Sequence, residues 1–179
     1  MDASTSRVFF AFWPDDQVRS EIGIWATEVC KLLGGKATQD RNLHMTVVFV
    51  GDIPTTQVEQ LADIARGIDW SEDEKVEITL GQVDWWKHNK ICYLGPASEF
   101  PEKIIQTVQQ IREGLLSIGL THFDKKPFVP HVTLARKVQA RNGIEALSSC
   151  RGSVCWRLSK PVLVISSKDD EGIIYIPIY

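Results

Sequence analysis

Two short stretches of this chain carry the same pattern, His44-Met45-Thr46-Val47 and His131-Val132-Thr133-Leu134. Alternate residues of a strand face the same side. Each stretch therefore sets an imidazole and a hydroxyl on one face, roughly 7 Å apart along the strand. Met45 and Val47, like Val132 and Leu134, face the other way and form an apolar back. The chain has 4 His and 10 Thr among 179 residues. Two of four histidines with Thr two residues on has a chance probability of about 2%.

The surroundings of the two patterns also match. Arg7–Trp13 (RVFFAFW) is aromatic and β-branched and reads as a buried strand. Asp15 then caps a helix with Val18, Ile22, Trp25, Val29 and Leu32 at helical spacing, stopped by Gly34-Gly35. The His44–Val50 strand follows, ended by Gly51. Thr56-x-x-Glu59 reads as a capping box for a second helix carrying Val58, Leu61, Ala65 and Ile68. After a strand from Val76 to Trp86 and a turn at Lys87-His88-Asn89, the order returns. Ile91–Leu94 is a strand closed by Gly95-Pro96, a helix runs from about Glu102 to Ile118, and His131–Ala135 is again a strand. Phe9 precedes His44 by 35 residues and Tyr93 precedes His131 by 38. A strand–helix–strand unit is used twice. A weaker helical stretch is expected near Ile144–Leu147. Val162–Ser166 and Ile173–Ile176 read as a hairpin around an acidic turn, Lys168–Gly172.

Bulk properties allow one domain, 1–179, with a sizeable core, or two small lobes sharing one. Hydrophobic residues make up 44% and charged residues 24%. No apolar run approaches the roughly 20 residues that span a bilayer. The start, Met1–Arg7, has no basic segment followed by an apolar one, so a cytoplasmic address is expected. Cys30, Cys92, Cys150 and Cys155 are scattered without Cys-x-x-Cys spacing, which argues against a disulfide framework or a zinc site. Net charge is −3, so nucleic acid is not gripped along an extended basic track. No cofactor and no metal are expected.

If the two units pack about a pseudo-two-fold axis, His44 and His131 meet across a cleft with a hydroxyl beside each. That arrangement suits in-line displacement at phosphorus. One neutral imidazole takes a proton from attacking water, while the other, protonated, delivers one to the departing oxygen. Histidine's ordinary pKa of about 6.5 makes both forms available near neutrality. The symmetry of the patterns does not say which histidine is acid and which is base. His88 and His122 lack the partner Thr and read as ordinary loop residues. Trp85, Trp86 and Phe128 could stack a nucleobase, but read first as core rings.

The chain resembles the two-histidine (2H) phosphoesterase superfamily, whose signature is a pair of His-x-Thr-x motifs. It is similar in particular to the LigT/ThpR-type RNA 2′,3′-cyclic phosphodiesterases, also named 2′-5′ RNA ligases. The stretches that carry the resemblance are Arg7–Phe12 (RVFFAF), Asn42–Gly51 (NLHMTVVFVG) and Pro127–Arg136 (PFVPHVTLAR). The resemblance implies an α+β, bilobal fold with two antiparallel sheets around a central cleft and helices outside. It implies hydrolysis of RNA 2′,3′-cyclic phosphate ends to 2′-phosphomonoesters by a monomer, with 2′-5′ ligation as the reverse. It implies His44 as proton donor, His131 as base, and Thr46, Thr133 and Arg136 as phosphate contacts. Arg136 has the wrong parity for this in an ideal strand, so a bulge or strand end must re-aim it. The alternatives are another cyclic or 2′-5′ nucleotide phosphodiester as substrate, or a binding module that uses the same cleft without turnover.

Overall fold

The computed structural model describes residues 4–71, 73, 76–139 and 152–179. Strand β1 (Thr5–Phe12) leads into helix α1 (Asp16–Leu33), and a two-residue strand β2 (Lys36–Ala37) follows. A single 3-10 turn (Asp40–Asn42) precedes β3 (Met45–Pro54), and α2 (Val58–Arg66) closes the first part. The second part runs β4 (Glu77–Trp86), β5 (Ile91–Pro96), α3 (Glu102–Ser117) and β6 (Val132–Arg136). The chain ends with β7 (Val154–Arg157), β8 (Val162–Asp169) and β9 (Gly172–Ile178). The expected helical stretch at Ile144–Leu147 lies outside the described residues.

Two antiparallel sheets result, one in the order β3-β1-β8-β9 and one in the order β2-β6-β5-β4-β7. The α+β, two-sheet fold expected from the sequence is the one observed. Helices α1 and α3, however, do not stay with the sheet whose strand they follow. Helix α1 leaves β1 of the first sheet and packs on β6 and β7 of the second. Helix α3 leaves β5 of the second sheet and packs on β3 and α2, while α2 lies against β8. Phe10, Phe12 and Met45 of the first sheet share one continuous buried cluster with Leu94, Val132 and Leu134 of the second. Among the described residues no helix is long and apolar enough to cross a membrane.

Local signals explain most element ends. Asp15 accepts the Val18 N–H at 2.8 Å and so satisfies an otherwise unpaired amide in the first turn of α1. Gly34, at φ 71°, returns its N–H to the Cys30 carbonyl and ends the helix. Two readings need correction. The Thr56–Glu59 capping box does not form: Thr56 lies inside a 3-10 turn (Thr55–Gln57), and Glu59 pairs with Arg66 instead. Gly51 does not end β3; the strand continues to Pro54, with Gly51 at φ 97° absorbing a bulge where Val50 has no partner on β1.

Each strand that starts beside a histidine also bulges just after its threonine. On β3, Thr46 pairs with Ala11 and Val48 with Phe10, so Val47 is skipped. On β6, Thr133 pairs with Tyr93 and Ala135 with Cys92, so Leu134 is skipped. Both members of each bulge are buried, at 4% and 2% exposure for Val47 and Val48 and 0% for Leu134 and Ala135. The strand's parity is thereby reversed. Phe49 and Arg136, each five residues after a histidine, return to the face that carries the threonine. This register also makes Ala11, two residues on from Phe9, the counterpart of Tyr93.

Gly35 holds the chain close to Arg136. Its φ is 101°, and a Cβ there would stand 2.7 Å from the Arg136 carbonyl oxygen. Gly35→Ala is therefore expected to cost about 1–3 kcal/mol in urea unfolding followed by circular dichroism. A change below a few tenths of a kcal/mol would show that this approach is not tight.

Candidate active site

His44 and His131 each sit one residue before a strand, β3 and β6, and both are half-buried. The backbone treats them alike. The His44 Nδ1–H donates to the Asn42 carbonyl at 2.7 Å, and the His131 Nδ1–H donates to the Val129 carbonyl at 2.7 Å. A carbonyl oxygen can only accept, so each neutral ring carries its proton on Nδ1 and its lone pair on Nε2. The His44 Nε2 lies 2.9 Å from the Thr46 hydroxyl, two residues along the same strand.

The site groups interleave across the cleft. His44, Thr133 and Arg136 line one hollow, together with Lys36, Asn42 and Tyr175. His131 and Thr46 line the adjoining hollow, of about 630 Å³. The two hollows meet at the His44–Thr46 hydrogen bond. The structure thus brings the five residues singled out from the sequence to these two hollows: His44 shares one with Thr133 and Arg136, and His131 shares the other with Thr46. Arg136 reaches its hollow by virtue of the bulge at Leu134–Ala135.

Aromatic rings surround both imidazoles. Phe9 and Tyr175 approach His44 with ring centroids at 4.8 and 5.1 Å, and Trp13 stacks at 5.8 Å and 14°. Trp86 and Tyr93 meet His131 edge-on at 4.5 and 5.6 Å. The Tyr93 hydroxyl donates to Asp84 at 3.2 Å, which fixes that ring. Trp86, which reads from sequence first as a core ring, thus faces the site, and Trp13, Tyr175 and Asn42 join it without a local sequence signal. Tyr93 and Phe9 were visible only as markers of the repeat.

Dry surroundings disfavour a charged ring. Burial pushes the His44 imidazolium down from its ordinary 6.5 to about 4; the Asn42 carbonyl opposes this, and His131 and Arg136 add to it. His131 is also lowered, mainly by burial and then by Arg136, against the supporting Val129 carbonyl. Among the described residues no three His, Cys, Asp or Glu side chains cluster as metal ligands.

Comparison with known proteins agrees with this architecture. The profile of the 2′-5′ RNA ligase superfamily matches residues 14–170, and the chain belongs to that family. An RNA 2′,3′-cyclic phosphodiesterase of Escherichia coli K12 is 26% identical, the match covering 73% of this chain and 71% of the relative. One from Aquifex aeolicus is 27% identical over 73% and 70%. The crystal structure of E. coli LigT complexed with 3′-AMP superposes with a TM-score of 0.78 at 23% identity, covering 98% of this chain and 97% of that one.

Folding lowers the proton affinity of both rings. Between 6.5 and the folded values the unfolded chain holds protons that the native protein does not. Their contribution to stability is complete above about 6.5 and is lost as pH falls toward 4. In an NMR pH titration of the protein alone, both imidazoles should titrate below 6.5, with His44 near 4. A His44 midpoint at or above 6.5 would contradict the dry environment described.

Proposed function

We propose that this protein hydrolyses the 2′,3′-cyclic phosphate at an RNA end to a 2′-phosphomonoester, using His44 and His131 as an acid–base pair. The observation that carries the reading is the shared cleft, in which both imidazoles hold Nδ1 to a backbone carbonyl and leave Nε2 for chemistry. Membership of the family and relatives that bear this activity in their names support it. The same proton transfers run backwards join a cyclic phosphate to a 5′-hydroxyl, giving a 2′-5′ linkage.

In this reading the phosphate lies between the two Nε2 atoms. His131 takes a proton from water as the water oxygen bonds to phosphorus. The P–O3′ bond breaks, and His44 gives its proton to O3′. The P–O2′ bond persists, which leaves the 2′-monoester. Thr46 and Thr133 donate hydroxyl hydrogens to the non-bridging oxygens, and Arg136 balances their charge. The ring expected to give a proton is the one most averse to holding it in the empty cleft. The anionic diester resolves this: it attracts the imidazolium directly and offsets the Arg136 charge that opposes it. All these groups come from one chain, so in this reading a single copy carries a complete site for an RNA end.

The hollow on the His131 side fits the nucleotide chain. Phe49, Trp85, Trp86 and Phe128 line it, and Lys87 and Lys126 stand exposed at its rim. Rings of this kind stack unpaired bases, and rim cations follow the phosphates.

His44→Ala and His131→Ala should each lower turnover of a 2′,3′-cyclic nucleotide by about 10² or more while keeping the native circular dichroism. Near-native turnover in either variant would end the paired mechanism. Phosphorus NMR in the presence of chelator should show the 2′-monoester accumulating. A 3′-monoester, or turnover of a different cyclic or 2′-5′ diester alone, would redirect the assignment, and binding without turnover would leave a binding module. Reversing both Lys87 and Lys126 to Glu should raise KM about tenfold for an oligoribonucleotide with a cyclic end and flatten its salt dependence. Turnover of a cyclic mononucleotide should stay within about twofold. Equal losses on both substrates would place the strand elsewhere.

A further inference from the structure

Asn42 is a polar residue only 7% exposed, two residues before His44. Its side chain is spliced into the edge of β9, the last strand of its sheet. The Asn42 Nδ2–H donates to the Ile173 carbonyl at 2.7 Å, and Oδ1 accepts the Tyr175 N–H at 3.0 Å. A side-chain amide thus makes the two bonds that a neighbouring strand would make. Arg41 reinforces the junction by a forked contact to Asp169, at 2.8 and 3.2 Å, and by an ion pair with Glu171 at 3.2 Å. The acidic turn of the β8–β9 hairpin is therefore the anchor of this junction.

Both environments of the His44 ring pass through this one residue. The Asn42 main chain supplies the carbonyl that receives Nδ1–H. Its side chain holds β9, which lays Tyr175 edge-on against the same ring at 5.1 Å and 87°. At His131 the equivalent carbonyl belongs to Val129, which is itself 48% exposed.

We propose that Asn42 is the positioning residue of His44: by joining the segment before β3 to β9, its side-chain amide holds in place the Asn42 main-chain carbonyl that keeps the ring proton on Nδ1, and with it the direction in which Nε2 points. The proposal rests on the acid–base reading of His44, but its first readout does not. Side-chain ¹⁵N NMR near neutral pH should show His44 as the Nδ1–H tautomer in the native protein, and a mixture with Nε2–H in Asn42→Ala. His131 should be unchanged in the same spectrum.

On a 2′,3′-cyclic mononucleotide, Asn42→Ala should lower kcat at least about tenfold with KM within about threefold, since a histidine in the wrong tautomer binds but does not transfer protons. Asn42→Asp retains the acceptor for Tyr175 N–H and loses the donor to Ile173. It should fall between the two, and carries the test if Asn42→Ala does not fold. A His44 tautomer unchanged in a folded variant, whatever its activity, would reduce Asn42 to a structural role. A native ring already in the Nε2–H form would overturn the proposal outright. Absence of turnover in the native protein would instead strike the functional reading, and the tautomer result would still stand or fall by itself.

Discussion

The arrangement depends on one hydrogen bond made twice. Each histidine leans back on the carbonyl two residues before it, Asn42 for His44 and Val129 for His131. Because that acceptor has no hydrogen to give, the choice of tautomer is settled by the main chain. The backbone thus turns Nε2 away from itself on both sides, and on the His44 side that atom meets the Thr46 hydroxyl at 2.9 Å. The strands, bulges and crossing helices bring two such units to adjoining hollows.

The two units are alike in backbone and unlike in surroundings. His44 lies against Phe9, Trp13 and Tyr175; His131 meets Trp86 and Tyr93 beside the wider hollow. Five residues beyond each histidine, one unit places Phe49 and the other Arg136. A pseudo-symmetric frame thus carries an asymmetric lining. One hollow is thus lined by Arg136 and the other by Phe49, so the two ends of the site are chemically distinct.

The strand–helix–strand repeat, the two His-x-Thr patterns and most element boundaries could be read from the sequence because they rest on local rules. Alternation, helical spacing, Asp15 at a helix start and Gly34 at its end are each decided within a few residues. What escaped was set by partners distant in the chain. The parity of Arg136 depends on a bulge that shows only in the pairing of β5 with β6, and the capping box at Thr56 gave way to a 3-10 turn. Asn42 looked like any polar residue before a strand, because its partners lie 131 and 133 residues away. Trp85, Trp86 and Phe128 were treated as core rings since composition cannot tell a ring that faces a cleft from one that faces the interior.

The exchange of helices between sheets bears on how the cleft can move. Each sheet is roofed by a helix whose chain enters from the other, and the buried cluster runs through both without a break. Pulling the lobes apart would strip the second sheet of α1 and the first of α3, leaving α2 on β8. Severing the chain midway would do the same, so neither half is a self-sufficient unit. The molecule resembles two clasped hands more than a hinged jaw.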